Sequence, residues 1–204
     1  PKINAAGRLE DISIGIECLI TEDDSVAMQC AASLIEKNKK RQNIEQQMQR
    51  EAHAYIEKFN AKNLPSCLCI YDKNWHQGLV GLVASRLKDH CNRPVIAFAE
   101  ENQGTFKGSA RSISGIHIRD LLESIATENP HLIEKYGGHS MAAGLTIKED
   151  NFEEFKIHAT THIKKLYPMA DFTGAIYIDG QIPHQKLTIE FAQMIKDYGP
   201  WGAG

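Results

Sequence analysis

The sequence has no apolar run long enough to cross a membrane and no amino-terminal signal peptide. No membrane partner is therefore expected, and a cytoplasmic location is. It carries little net charge, −3 over 204 residues. That excludes a broad electrostatic grip on a nucleic-acid duplex, so any polyanion has to be held by a local basic site. Five cysteines are present, an odd number, and no two have Cys-x-x-Cys spacing. Zinc-site and disulfide frameworks are thereby set aside, and reduced, mostly buried thiols are expected. There is no Asp-His-His, no His-Glu-x-x-His, no Walker loop and no Gly-x-Gly-x-x-Gly turn. Hydrolysis of a phosphodiester most often relies on two metal ions held by several carboxylates. No cluster of that kind is legible, so no metal ligand is assigned.

What the sequence does have is two small-residue stretches with basic or titratable side chains. One is Tyr136-Gly137-Gly138-His139-Ser140-Met141-Ala142-Ala143-Gly144. Its paired glycines allow close backbone approach, and its histidine titrates near neutral pH. Such a loop can offer backbone N–H groups and an imidazole to an anion. Taken alone, Gly-Gly-His is more often a tight turn with a surface histidine. The second stretch is Lys107-Gly108-Ser109-Ala110-Arg111-Ser112. In a strand, Lys107, Ser109 and Arg111 point to one face. That gives a lysine, a hydroxyl and a guanidinium fork suited to a phosphate, or else an edge strand with solvated charges. We expect the two stretches to face one phosphate-bearing ligand. These residues suit binding a phosphate and leave the chemical step without an engine.

In chain order, Asn4-Ala5-Ala6-Gly7-Arg8-Leu9 is a close-packing start in which Arg8 either presents a fork to a phosphate or sits in a surface ion pair. Asp23 or Asp24 caps a helix that runs to about residue 60, uninterrupted by proline or glycine. Its apolar positions fall into two groups, Ala27, Cys30, Ala31 and Leu34, then Ile44, Met48, Ala52, Tyr55, Ile56 and Phe59. Residues 36–43 between them are polar all round, which predicts a helix that bridges two bodies. Strands over 67–71 and 94–99 flank a helix over 78–87, a βαβ unit. The loop carrying Trp75, His76 and Gln77 then lies at the carboxyl end of the first strand, where open α/β sheets bind ligands. Trp75 itself reads as a core or rim aromatic. A third strand is expected over 105–112, short helices over 118–125 and 130–136, a strand over 143–147 and a helix over 150–167. His158 and His162 are four apart on that last helix, and both are expected to face solvent. A further strand over 175–178 and a helix over 188–197 follow. Both ends have the look of a chain cut from a longer protein.

Six ordered motifs carry a resemblance that covers essentially the whole chain. They are Asn4-Ala5-Ala6-Gly7-Arg8-Leu9, Trp75-His76-Gln77-Gly78-Leu79-Val80-Gly81, Ala84-Ser85-Arg86-Leu87, Arg93-Pro94, the Lys107 stretch and the Gly137 stretch. In this order they resemble the RecJ family of single-strand-specific exonucleases, in the DHH phosphoesterase superfamily. The resemblance implies a 5′→3′ exonuclease of recombination and repair that starts at a 5′-phosphate and uses Mn²⁺ or Mg²⁺, with no metal bound by the residues present. It implies single-stranded DNA as partner, with single-strand-binding protein and a helicase, and a monomer. The fold class it implies is α/β, a mixed sheet with flanking helices. Residues 1–21 would end the catalytic DHH domain, 22–62 form the connector helix, 63–168 the DHH-associated substrate-binding domain, and 169–204 begin an oligonucleotide-binding (OB) β domain. Arg8, Ser109 and Arg111 would line a 5′-phosphate pocket with His76, Gln77, Lys107, Gly137 and Gly138 nearby, and His139 would face the scissile phosphate as the catalytic residue. The departure from the pattern is the missing Asp-His-His motif. The alternatives from other classes are a non-catalytic nucleic-acid-binding module, like the one appended to alanyl-tRNA synthetases, and a short-oligonucleotide phosphodiesterase.

Overall fold

A computed structural model describes residues 2–57, 64–174, 178 and 180–201. The chain divides into two compact units, one running up to Phe172 and the other starting at Thr173.

The first unit opens with α1 (Lys2–Leu9) and α2 (Ser13–Ile20), packed against the long α3 (Asp24–Glu57). Asp23 caps α3, its carboxylate accepting from the N–H groups of Ser25 at 2.7 Å and Val26 at 3.3 Å. At 1.5 Å per residue α3 is about 50 Å long. Cys30 and Leu34 are buried on its first half, and Met48, Ala52 and Ile56 on its second. Between them Glu36, Lys39, Lys40, Gln42 and Asn43 are exposed, and Lys37 and Arg41 pair with Glu10 and Glu45. The first half packs on the two short helices and the second on the sheet layer, both within the one compact unit.

The sheet follows. Strand β1 (Leu68–Tyr71) is joined through α4 (Val80–Cys91) to the parallel β2 (Val95–Asn102), the expected βαβ unit. Then come β3 (Thr105–Arg111), α5 (Ile118–Glu128), β4 (Lys135–Gly138), β5 (Ala142–Lys148) and α6 (Phe152–Leu166). The strand order is β1-β2-β3-β5-β4, antiparallel beyond β2. Side chains alternate across the pleat. Cys67, Cys69, Ile96, Phe98, Phe106, Ala110, Ala143, Leu145 and Ile147 enter one core, closed by α5 and α6. Leu68, Ile70, Val95, Ala97 and Ala99 enter the other, closed by α3 and α4. All five cysteines are free thiols, four of them buried.

The second core reaches only β1 and β2. Beyond them the same face of β3, β5 and β4 carries Lys107, Ser109, Arg111, Gly144, Thr146 and Lys135, none of them buried. That half-covered face positions the site described below.

Two expectations fail here. Residues 130–136 form no helix. Leu132 donates to the Asn129 carbonyl in a turn, and Glu134 then joins the ladder by donating to the Thr146 carbonyl. The stretch is too short to bury a helical stripe, while the free edge of β5 offers its backbone a full set of partners. His162 does not face solvent. It is 3% exposed, in one buried stripe of α6 with Phe155, Ala159 and Ile163. Its Nδ1 lies 3.0 Å from Ser124 Oγ. His158 is half-buried, beside Asn129.

In the second unit, α7 (Ile189–Asp197) stands where a helix is expected, capped by the Thr188 hydroxyl, which accepts from the Phe191 N–H. Of the strand expected over 175–178, residues 175–177 lie outside the described residues, and residue 178 is not in a strand.

Candidate nucleic-acid interface

The site begins at the carboxyl end of β3. Arg111 and Ser109 project away from the core, since Ala110 between them and Gly108 before them face it. Arg111 Nη1 donates to the Ala110 carbonyl at 2.8 Å and to Ser109 Oγ at 3.3 Å. The guanidinium therefore lies along its own strand and turns toward the first turn of α4. Gly81 receives it. A Cβ on Gly81 would stand 2.9 Å from both Arg111 Nη2 and Ser109 Oγ.

Arg8 arrives from α1. Its carbonyl oxygen would be 2.0 Å from a Cβ on Gly78, so that glycine is what lets the end of α1 reach the turn before α4. The same turn is held by His76, whose Nδ1 accepts from the Gly78 N–H at 3.1 Å. Burial lowers the Arg111 pKa, and the charge of Arg8 lowers it further, so the two cations feel each other. Arg111 nonetheless remains protonated at any working pH. Among the described residues neither is within salt-bridge distance of a carboxylate. The half-buried Arg111 guanidinium and the Ser109 hydroxyl thus meet the start of a 12-residue helix, close enough to half-buried Arg8 to feel its charge, with no carboxylate at salt-bridge distance among the described residues. Gln77 is exposed next to this group, and Trp75 is core, its Nε1 donating to the Glu51 carboxylate at 2.9 Å.

Moving along β3, the register sets cross-strand rows. Arg111 is level with Ala142, Ser109 with Gly144 and then Gly137, and Lys107 with Thr146 and then Lys135. The middle row has a bare floor. A Cβ on Gly137 would meet nothing within 4 Å, and one on Gly144 only the Gly108 carbonyl oxygen at 3.9 Å. Lys107 shares the face, but two residues from Ser109, and it pairs with Glu101 at 2.8 Å. A depression of about 200 Å³ lies between Lys107 and Lys135, floored by Gly144.

Gly137 and Gly138 end β4 instead of forming the turn. The turn is 139–141, closed by the His139 N–H donating to the Ala142 carbonyl at 2.8 Å. It is tied down twice more, by Ser112 N–H to the Met141 carbonyl and Ile118 N–H to the Ser140 carbonyl. Gly138 has φ +144°, and a Cβ there would be 2.4 Å from the Ala142 oxygen, so only glycine fits. The His139 residue is exposed at the end of the Arg111–Ala142 row. Two strand spacings put its backbone roughly 10 Å from that of Arg111.

Gly78, Gly81, Lys135, Gly144 and Thr146 are the residues that sequence reasoning misses. A glycine two residues inside a helix start is the available signal for Gly81. Lys135 has none, because its strand reads as a helix.

No three His, Cys, Asp or Glu side chains gather closely enough to hold a metal ion among the described residues. The described residues do not by themselves supply a divalent-metal site.

A profile of the DHHA1 domain matches residues 63–165. The chain belongs to the DHHA1 domain family. The match ends in the last turn of α6 and contains β3, the glycine-floored rows and the His139 turn. The DHHA1 chain is 42% identical over its whole length to the single-stranded-DNA-specific exonuclease RecJ of Haemophilus influenzae, of which it covers 36%. With the RecJ of Bacillus subtilis it shares 30% identity over 99% of its length, covering 25% of that protein. It thus spans about a third or less of the length of these relatives. Among solved structures it resembles RecJ of Thermus thermophilus in complex with Mn²⁺, at TM-score 0.78 and 27% identity, covering 99% of this chain and 28% of that one. It also resembles an exonuclease RecJ bound to manganese, at TM-score 0.67 and 31% identity, covering 79% of this chain and 38% of that one.

Proposed function

We propose that this chain is the substrate-binding portion of a RecJ-like 5′→3′ single-stranded-DNA exonuclease, and that Arg8, Ser109 and Arg111 hold the 5′-phosphate. The observation that carries this reading is the Arg111 guanidinium and the Ser109 hydroxyl lying together against the first turn of α4, with the end of α1 that carries Arg8 packed on the turn before it. A terminal phosphate brings more charge and more free oxygens than a phosphodiester, which suits a site with two cations. His76 shapes the turn, and Gln77 stands at its rim.

From the terminal phosphate the strand crosses the bare Gly137–Gly144 floor, where its backbone can approach the sheet without meeting a side chain. His139 faces the scissile phosphate and stabilises charge there. Lys107 meets a phosphate further on. A single strand fits this floor, whereas the flat, narrow contact gives a duplex no groove to enter. Relatives named as single-stranded-DNA-specific exonucleases support the substrate class.

In this reading the manganese named with the solved RecJ structures, or Mg²⁺ in its place, serves the whole enzyme and is held outside the described residues. Residues 1–21 end the catalytic DHH domain, 22–62 connect, 63–168 bind substrate and 169–204 begin the OB domain. Recombination and repair in the cytoplasm, with single-strand-binding protein and a helicase as partners and the enzyme as a monomer, complete the proposal.

The test is steady-state kinetics of a full-length enzyme on 5′-phosphorylated single strands. Arg111→Lys keeps the charge and loses the fork. It is expected to fall nearly as far as Arg111→Ala, on the order of tenfold to a hundredfold in kcat/KM, for the loss of one charge-assisted hydrogen bond. His139→Ala is expected to act mainly on kcat. Wild-type kcat/KM in Arg111→Ala ends the proposal.

A further inference from the structure

Resting on the phosphate-site reading above, we propose that Gly81 is a positioning residue that decides whether the site recognises a terminal phosphate. Its missing side chain is the space in which the Arg111 guanidinium and the Ser109 hydroxyl lie together. A Cβ at residue 81 would stand 2.9 Å from Arg111 Nη2 and 2.9 Å from Ser109 Oγ, and 3.6 Å from Arg111 Cζ. Carbon does not approach nitrogen or oxygen that closely without a shift.

What shifts is decided by what the Cβ meets. At Gly81 the obstacles are the far ends of two side chains, which can rotate away. At Gly78 the obstacle is the Arg8 carbonyl at 2.0 Å, with its carbon at 3.0 Å, which moves only if the backbone moves. The two glycines of one turn therefore have different duties. Gly78 admits the end of α1, and a side chain there disturbs the fold. Gly81 admits the fork of Arg111, and a side chain there leaves the fold intact and turns the fork out of place. Gly81 lies inside α4, where alanine is intrinsically the better helix former. Glycine at this position goes against helix propensity, as expected of a position held for the site.

A displaced fork keeps its charge and loses its two-pronged geometry. The consequence is specific. Non-specific attraction to the strand persists, and discrimination between a terminal phosphate and a terminal hydroxyl declines.

The experiment measures binding of 5′-phosphorylated and 5′-hydroxyl single-stranded oligonucleotides of one sequence to the 204-residue chain. It compares wild type, Gly81→Ala, Arg111→Ala and the double variant, with melting curves for each. Gly81→Ala is expected to lose on the order of tenfold in affinity for the phosphorylated strand, to bind the hydroxyl strand as wild type does, and to melt no lower. In the Arg111→Ala background Gly81→Ala is expected to cost nothing further, because it acts through Arg111. If Arg111→Ala loses the phosphate preference while Gly81→Ala keeps it, the role of Gly81 is overturned and the phosphate reading stands. If wild type shows no preference, or Arg111→Ala retains it, the phosphate reading fails and this inference with it. A fall in melting temperature that persists in the double variant also overturns the inference, since it means the backbone, and not the fork, gave way.

Discussion

Gly108 and Gly144 occupy adjacent strands of one sheet and face opposite ways. A Cβ on Gly108 would lie 2.5 Å from Phe98 and 2.6 Å from Leu145, inside the core under α5 and α6. A Cβ on Gly144 would meet only a carbonyl oxygen at 3.9 Å. The same residue type is a packing device on one face and an opening on the other. The first face is closed over β1, β2, β3 and β5. On the second, the apolar core under α3 and α4 takes residues from β1 and β2, α4 reaches on over Ser109 and Arg111 of β3, and Gly144 and Gly137 beyond are bare. Function is read from where the second core stops.

The strongest way to break this comparison is to empty the closed face. Phe98 is fully buried and touches Phe152 and Phe155 edge-on. Phe98→Ala is expected to cost about 3–5 kcal/mol. A denaturant midpoint near wild type in that variant contradicts the packing described. Next is the glycine pair itself. Gly108→Ala overfills the core and is expected to destabilise by roughly 1–3 kcal/mol, whereas Gly144→Ala is expected within about 0.5 kcal/mol of wild type. Equal effects at the two positions erase the distinction between the faces.

The buried histidine sharpens the comparison by pH. Burial between α5 and α6 lowers the His162 pKa, with Glu128 opposing and His158 and Lys165 adding to the fall. As pH drops through about 6.5, the unfolded chain takes up this proton before the folded one does, so stability decreases. The loss stops growing once pH passes the lowered folded-state value. His162→Gln is expected to flatten that part of the stability profile. An unchanged slope between pH 7 and pH 5 refutes the assignment. On the open face the smallest effect is expected from Glu101→Gln, which frees Lys107 from its partner at 2.8 Å. Affinity for a single strand is expected to rise by at most about fivefold, the range of an exposed ion pair. A decrease would mean that Lys107 has no part in the interface.

Much of this is legible in the sequence because it is local. The Asp23 cap, the interrupted stripe of the long helix, the βαβ unit and the shared face of Lys107, Ser109 and Arg111 all follow from spacing within a few residues. The misses have two causes. Residues 130–136 read as a helix by their own propensity, whereas β4 exists because β5 offers an edge, with Gly137 level with Gly144. His162 reads as exposed by its chemistry, whereas its spacing from Phe155 and Ala159 already puts it on the buried stripe. The contacts of Gly78 with Arg8 and of Gly81 with Arg111 join residues about 70 and 30 positions apart, and no local pattern announces them.

The proposal puts the terminal phosphate at Arg111, where the cover of α4 over the sheet ends and the glycine floor begins. The most direct measurement is a ¹H–¹⁵N titration of the chain with a short 5′-phosphorylated single-stranded oligonucleotide. Saturable shifts are predicted at the Arg111 Nε–H and at the amides of Gly81 and Gly144, with amides along α5 and α6 unmoved. Shifts confined to the α5 and α6 face, or an Arg111 Nε–H that does not respond, would contradict it.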